Sequence, residues 1–114
     1  MIDNMYSDMH AIIAKRASVN DEWQDEVNRC WNEMVDYFSK DIERTNQFIK
    51  TDCTADELSW LSEVFEQIAR KTHSSSFIDA IKYAADKYPE ETETYNIHNF
   101  IDAAELIVNN KAGS

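Results

Sequence analysis

Three histidines, His10, His73 and His98, and two cysteines, Cys30 and Cys53, are the side chains best suited to acid–base, nucleophilic or metal chemistry. Their spacing argues against all three. A carboxylate-bridged di-metal bundle needs Glu-x-x-His on two helices, and no histidine here has an acid three residues before it. His-Glu-x-x-His is absent, as are the Cys/His spacings of zinc sites. Cys30 falls on an apolar helical face and reads as a small core hydrophobe. Cys53 reads as packing at a helix junction, and nothing local couples either thiol to a histidine. The carboxylates are numerous, but a catalytic pair needs an apolar pocket that splits the two pKa values, and no spacing marks one. The reading is a non-enzyme with no catalytic residues, no cofactor and no metal.

The backbone composition excludes further chemistry. Among 114 residues there is one glycine, Gly113, and one proline, Pro89. Phosphate-cradling loops and dinucleotide fingerprints need several glycines, so both are ruled out. Tight β-hairpins also depend on glycine at positive φ, which disfavours an antiparallel β architecture. Two cysteines make no disulfide framework, and the N-terminal residues lack the basic and apolar regions of a secretory signal. No run approaches the ~20 apolar residues of a membrane span. The expected location is the cytoplasm.

Charge narrows the partners. There are 22 acids against 11 bases, a formal net charge of −11. Residues 1–53 hold 11 acids and 6 bases, and residues 54–114 hold 11 and 5, so the excess is spread along the chain. Affinity for DNA or RNA rests on neutralising phosphates with Lys and Arg. Nucleic acid and anionic membrane are therefore unfavourable partners, and a basic protein is the complementary one.

The elements follow from helical periodicity. A first helix spans 3–17, with Met5, Met9, Ile12 and Ile13 apolar and Lys15 and Arg16 in its last turn. Ser18 or Asn20 caps a second helix whose apolar stripe is Trp23, Val27, Cys30, Trp31, Met34 and Phe38. After Ser39 the pattern reads either as a continuation or as a new helix to about Lys50. Thr54-Ala55-Asp56-Glu57 has the form of a capping box, followed by Leu58, Leu61, Val64, Phe65 and Ile68 on one face, with a stop near 71–74. Another helix covers about 76–88 and ends at Pro89. Residues 89–94 read as a polar loop, 97–109 as the last helix and 109–114 as a frayed tail. The expected fold is all-α: a single compact domain over 1–114, of five to six helices arranged as antiparallel pairs or an irregular bundle.

What remains is a surface. At 100° per residue, Asp56 and Glu63 project opposite the Leu58/Leu61/Phe65/Ile68 stripe, with Trp60 on the border. Tryptophan flanked by acids at the edge of a core stripe is a candidate interface anchor; the alternative is that Trp60 packs against a neighbouring helix. Glu90, Glu91 and Glu93, between Tyr88 and Tyr95, repeat the acidic–aromatic character, and a solvated charge run is the alternative there. The candidate partner-binding residues are Asp56, Trp60, Glu63, Glu66, Glu90, Glu91, Glu93 and Tyr95.

The run Cys53-Thr54-Ala55-Asp56-Glu57-Leu58-Ser59-Trp60-Leu61-Ser62-Glu63-Val64-Phe65-Glu66 is distinctive. With Lys71-Thr72, Phe77-Ile78, Lys87-Tyr88-Pro89-Glu90-Glu91-Thr92 and Tyr95-Asn96-Ile97, it resembles bacterial immunity proteins encoded beside polymorphic toxins, including those of contact-dependent growth inhibition. The similarity covers residues 53–97. It implies a protein that binds and neutralises the C-terminal domain of one cognate toxin, often a nuclease, without catalysis. Contact positions vary across such a family, so the resemblance transfers none. The alternative is a helical adaptor or regulatory subunit for another basic protein.

Overall fold

The scarcity of glycine leaves the chain few ways to turn other than by ending one helix and capping the next. The computed structural model, which describes residues 5–110, shows this arrangement. It contains eight helices and no strand among the described residues: α1 (Met5–Ser18), α2 (Gln24–Ser39), α3 (Ile42–Thr51), α4 (Ala55–Ser62), α5 (Phe65–Thr72), α6 (Ser75–Lys87), α7 (Pro89–Thr94) and α8 (Ile97–Asn110). The all-helical class holds, but five to six helices was too few. The first two residues of the expected 3–17 helix, and 111–114 of the expected frayed tail, lie outside the described residues; Asn109 and Asn110 are helical.

The additional helices arise at three joints. Residues 20–50 form two helices, because the Asp41 carboxylate accepts the Arg44 amide and starts α3. The buried Thr45 hydroxyl also donates to the Phe38 carbonyl at 2.7 Å, fastening the new helix to the end of α2. The helix begun by the capping box breaks after Ser62, and α5 restarts at Phe65. Pro89 both ends α6 and opens α7 at a first-turn position, where its missing N–H has no intrahelical partner to lose. The Thr92 hydroxyl donates to the Ala85 and Tyr88 carbonyls, holding α7 against α6. What reads as a polar loop is therefore helical.

Lack of glycine is also visible at the turns that need positive φ. His73 closes α5 at φ 49°, and Asn96 precedes α8 at φ 53°. Both are non-glycine residues in the left-handed region, which asparagine and histidine tolerate better than most.

One continuous core joins the elements. Phe38, Phe48, Phe65 and Phe77 are fully buried with Met9, Met34, Leu58, Leu61 and Ile81. Tyr6, Phe38 and His10 all meet Phe48, with ring centroids 5.6, 6.0 and 4.9 Å away. The most extensive packing is of α3 on α6 and α5 on α8, with α1 lying across α2 and α4. The radius of gyration is 13.5 Å, that of a compact chain of this length. The apolar stripe expected on the second helix is buried at Val27, Cys30, Met34 and Phe38, but not at Trp23, which is 61% exposed. Trp23 is the residue before the first turn of α2, so it lies outside the helical register that buries Val27.

Candidate functional site

The capping box forms as the Thr54-Ala55-Asp56-Glu57 pattern predicts. Thr54 Oγ1 accepts the Glu57 amide at 3.2 Å, and Glu57 Oε1 accepts the Thr54 amide at 3.0 Å. The cap fixes the first turn of α4 beside α1. Between them lies an open groove of about 510 Å³, lined by Ile13, Ala14, Ala17 and Ser18 of α1 and by Thr54, Asp56, Glu57 and Trp60. Small side chains on α1 leave the indole and the carboxylates as its distinguishing groups. The groove thus brings Asp56 and Trp60 together.

Trp60 is half-buried, with one face covered by the Arg16 guanidinium 4.9 Å from the ring centroid. Arg16 itself is only 3% exposed. It donates to Glu63 from Nε at 2.7 Å and from Nη2 at 3.0 Å, and Nη2 also reaches Asp21 at 3.0 Å. Trp31 Nε1 donates to the same Glu63 Oε1 at 3.0 Å. Glu63 is therefore occupied within the fold. Its projection onto an outer face presumes a helix continuing through position 63, whereas α4 ends at Ser62 and Glu63 occupies the joint.

The other candidates divide into three situations. Glu66 pairs with Arg70 at 3.0 Å along α5. Glu90 and Glu91 share a shallow pocket with Ala55, Lys87, Tyr88 and Pro89, which places them beside the start of α4, one residue from Asp56. Glu93 lies in a different hollow, with Asp86, Asn96 and His98. Tyr95, at the end of α7, is 53% exposed. The structure thus puts Asp56 and Trp60 in one groove, and Glu90 and Glu91 in a separate pocket that reaches Ala55 at the start of α4. Glu63 and Glu66 are held in ion pairs, while Glu93 and Tyr95 lie elsewhere on α7 and at its end.

A charged cluster that no local spacing announces lies next to this turn. His10 is clasped by two carboxylates, Nδ1 to Glu57 Oε2 and Nε2 to Asp52 Oδ2, each at 2.5 Å. With both ring nitrogens facing acceptors, the imidazolium is the form that satisfies them. Burial alone would lower the His10 pKa, but hydrogen bonding and attraction to Glu57 and Asp52 outweigh it, and the net shift is upward. Asp52 and Glu57 are 42 and 47 positions from His10, so the clasp exists only because α1 packs against the junction of α3 and α4.

Cys53 is buried and donates to the Thr54 carbonyl at 3.5 Å. Burial first, and then Glu57, push its thiol well above the usual range, favouring the protonated form. Among the described residues no three or more His, Cys, Asp or Glu side chains form a group that could hold a metal ion. No described helix is long and apolar enough to cross a membrane. No family model matches the sequence, and no curated protein or solved structure matches it either.

Proposed function

We propose that the chain is an immunity protein that binds and neutralises one cognate toxin domain, a nuclease with a basic cleft. In this reading it occludes that domain with the acidic face around the N-terminal turn of α4. One observation carries it. The carboxylates of Asp56, Glu90 and Glu91 have no cationic ion-pair partner among the described residues, whereas Arg16, Arg29, Arg70, Lys71 and Lys82 are all paired with acids. These three carboxylates, like Glu22 and Asp25 elsewhere on the surface, are thus left for an external cation to meet.

A nuclease must present a positive surface to hold phosphates. An opposed acidic face steers its encounter and competes for the same residues. Trp60, wedged beside Asp56 and backed by Arg16, supplies a rigid aromatic contact of the type that anchors interfaces. The resemblance of residues 53–97 to toxin-immunity proteins points to the same class, and the two free buried thiols suit a reducing cytoplasm.

Co-expression with the C-terminal domain of the toxin encoded next to this gene tests the proposal. The reading expects a stable complex at micromolar concentration in low salt and loss of toxicity. A toxin domain that neither associates nor is neutralised overturns it. Association with a non-toxic basic protein alone would favour an adaptor instead.

A further inference from the structure

We propose that the hollow at the start of α2, formed by Trp23 with Glu22, Asp25 and Glu26, is a docking surface for an arginine-bearing segment of a basic protein partner. This surface shares no lining residue with the α4 groove, and it stands whether or not that partner is a toxin.

The hollow is a shallow, open depression of about 360 Å³ lined by the consecutive residues Glu22, Trp23, Gln24, Asp25 and Glu26. Acids in the first turn of a helix are ordinarily explained by the helix dipole, and that accounts for Asp25 and Glu26. It leaves the indole unexplained. Trp23 is 61% exposed, although an indole is among the costliest side chains to leave in water. Among the described residues, its ring makes no aromatic, cation–π or hydrogen-bonded contact. Its backbone, by contrast, is held at both ends. The Trp23 amide donates to the Asn20 carbonyl at 2.9 Å, and its carbonyl accepts the Val27 amide at 3.0 Å.

The charges around the ring are unequal. Asp21 already accepts Arg16, and Glu26 pairs with Arg29. Glu22 and Asp25 have no cationic partner among the described residues. Two free carboxylates beside one open aromatic face match a guanidinium. Its plane stacks on the indole while its N–H fork reaches a carboxylate. A lysine ammonium offers the charge but neither the plane nor the fork.

The test uses the full chain and a short peptide of alternating arginine and serine, with a lysine–serine counterpart. Three indole N–H signals are expected in proton–nitrogen spectra, and Trp23→Phe assigns one of them. We expect the Trp23 signal to shift saturably with the arginine peptide. Affinity should fall about tenfold in Trp23→Ala and in the double variant Glu22→Gln/Asp25→Gln. It should be unchanged in Asp79→Asn/Asp102→Asn, which removes two charges remote in sequence from the start of α2 and from the α4 turn. All these side chains are exposed, so helical circular dichroism should stay intact throughout. The proposal is overturned by undiminished affinity in Trp23→Ala, by equal weakening in Asp79→Asn/Asp102→Asn, by equal binding of the lysine peptide, or by no saturable shift up to millimolar peptide.

Discussion

The Arg16 guanidinium grips the Glu63 carboxylate in parallel, Nε to Oε1 at 2.7 Å and Nη2 to Oε2 at 3.0 Å. This pair ties the last turn of α1 to the joint between α4 and α5, and it sits under two tryptophans. Trp31 donates to Glu63, and the rings of Trp31 and Trp60 lie 6.0 and 4.9 Å from the guanidinium carbon. The charge pair is therefore flanked by two aromatic rings, one of which, Trp60, also lines the α1–α4 groove.

Removing one member of a buried pair strands the other. Arg16→Met should cost about 3 kcal/mol in urea unfolding, with an unchanged denaturant slope. The double variant Arg16→Met/Glu63→Leu should cost less than the sum of the single changes. Additive costs, or an Arg16→Met variant as stable as the parent, would show that the pair does not organise the joint.

The His10 clasp makes stability depend on pH in a definite direction. The folded pKa lies above the unfolded one. The stabilisation is thus complete below the unfolded value of about 6.5 and is lost as pH rises through the folded pKa. His10→Gln should therefore lower stability more at about pH 5.5 than at about pH 9. Denaturant midpoints of parent and variant at both pH values check this, and a constant difference would contradict it.

At the α4 cap, Thr54→Ala removes the acceptor for the Glu57 amide and should cost about 1 kcal/mol. Because Glu57 also holds His10, its effect should extend further. Glu57→Ala should destabilise more than Thr54→Ala at about pH 5.5, and the excess should shrink at about pH 9. Equal effects at both pH values would separate the cap from the clasp.

His73 and Asn96 adopt positive φ where glycine is usual. His73→Gly relieves the Cβ penalty of about 1–2 kcal/mol but adds freedom to the unfolded chain. A net gain of up to about 1 kcal/mol in thermal or urea unfolding is expected. A loss would mean that contacts of the His73 ring outweigh its backbone strain.

Much of the fold is legible in the sequence because its signals are local. The Thr54 capping box, the Val27/Cys30/Met34/Phe38 stripe and the stop at Pro89 all behave as their spacing predicts. The extra helices are less legible, since their breaks depend on side-chain bonds rather than on glycine or proline. Asp41 capping Arg44, and Thr45 fastened to Phe38, are single hydroxyl and carboxylate choices within an unbroken helical pattern. The surface is least legible. Asp56 and Trp60 do meet in one groove. Glu63, drawn inward by Arg16 from 47 residues away, and Trp23, placed by a turn outside its helical register, could be located only by tertiary packing.

The most direct test is the association rate between this chain and the toxin domain proposed as its partner, measured across salt concentrations for the parent and for Glu90→Lys/Glu91→Lys. Both glutamates lie on the short α7 near the α4 turn, and neither carboxylate holds an ion pair among the described residues, so the variant should keep its helical circular dichroism. The account predicts fast, salt-sensitive association for the parent, at least tenfold slower association for the variant (on the order of the loss expected when electrostatic steering is removed), and weakened protection from the toxin. An unchanged rate and full protection in the variant would contradict the claim that this acidic face meets the partner.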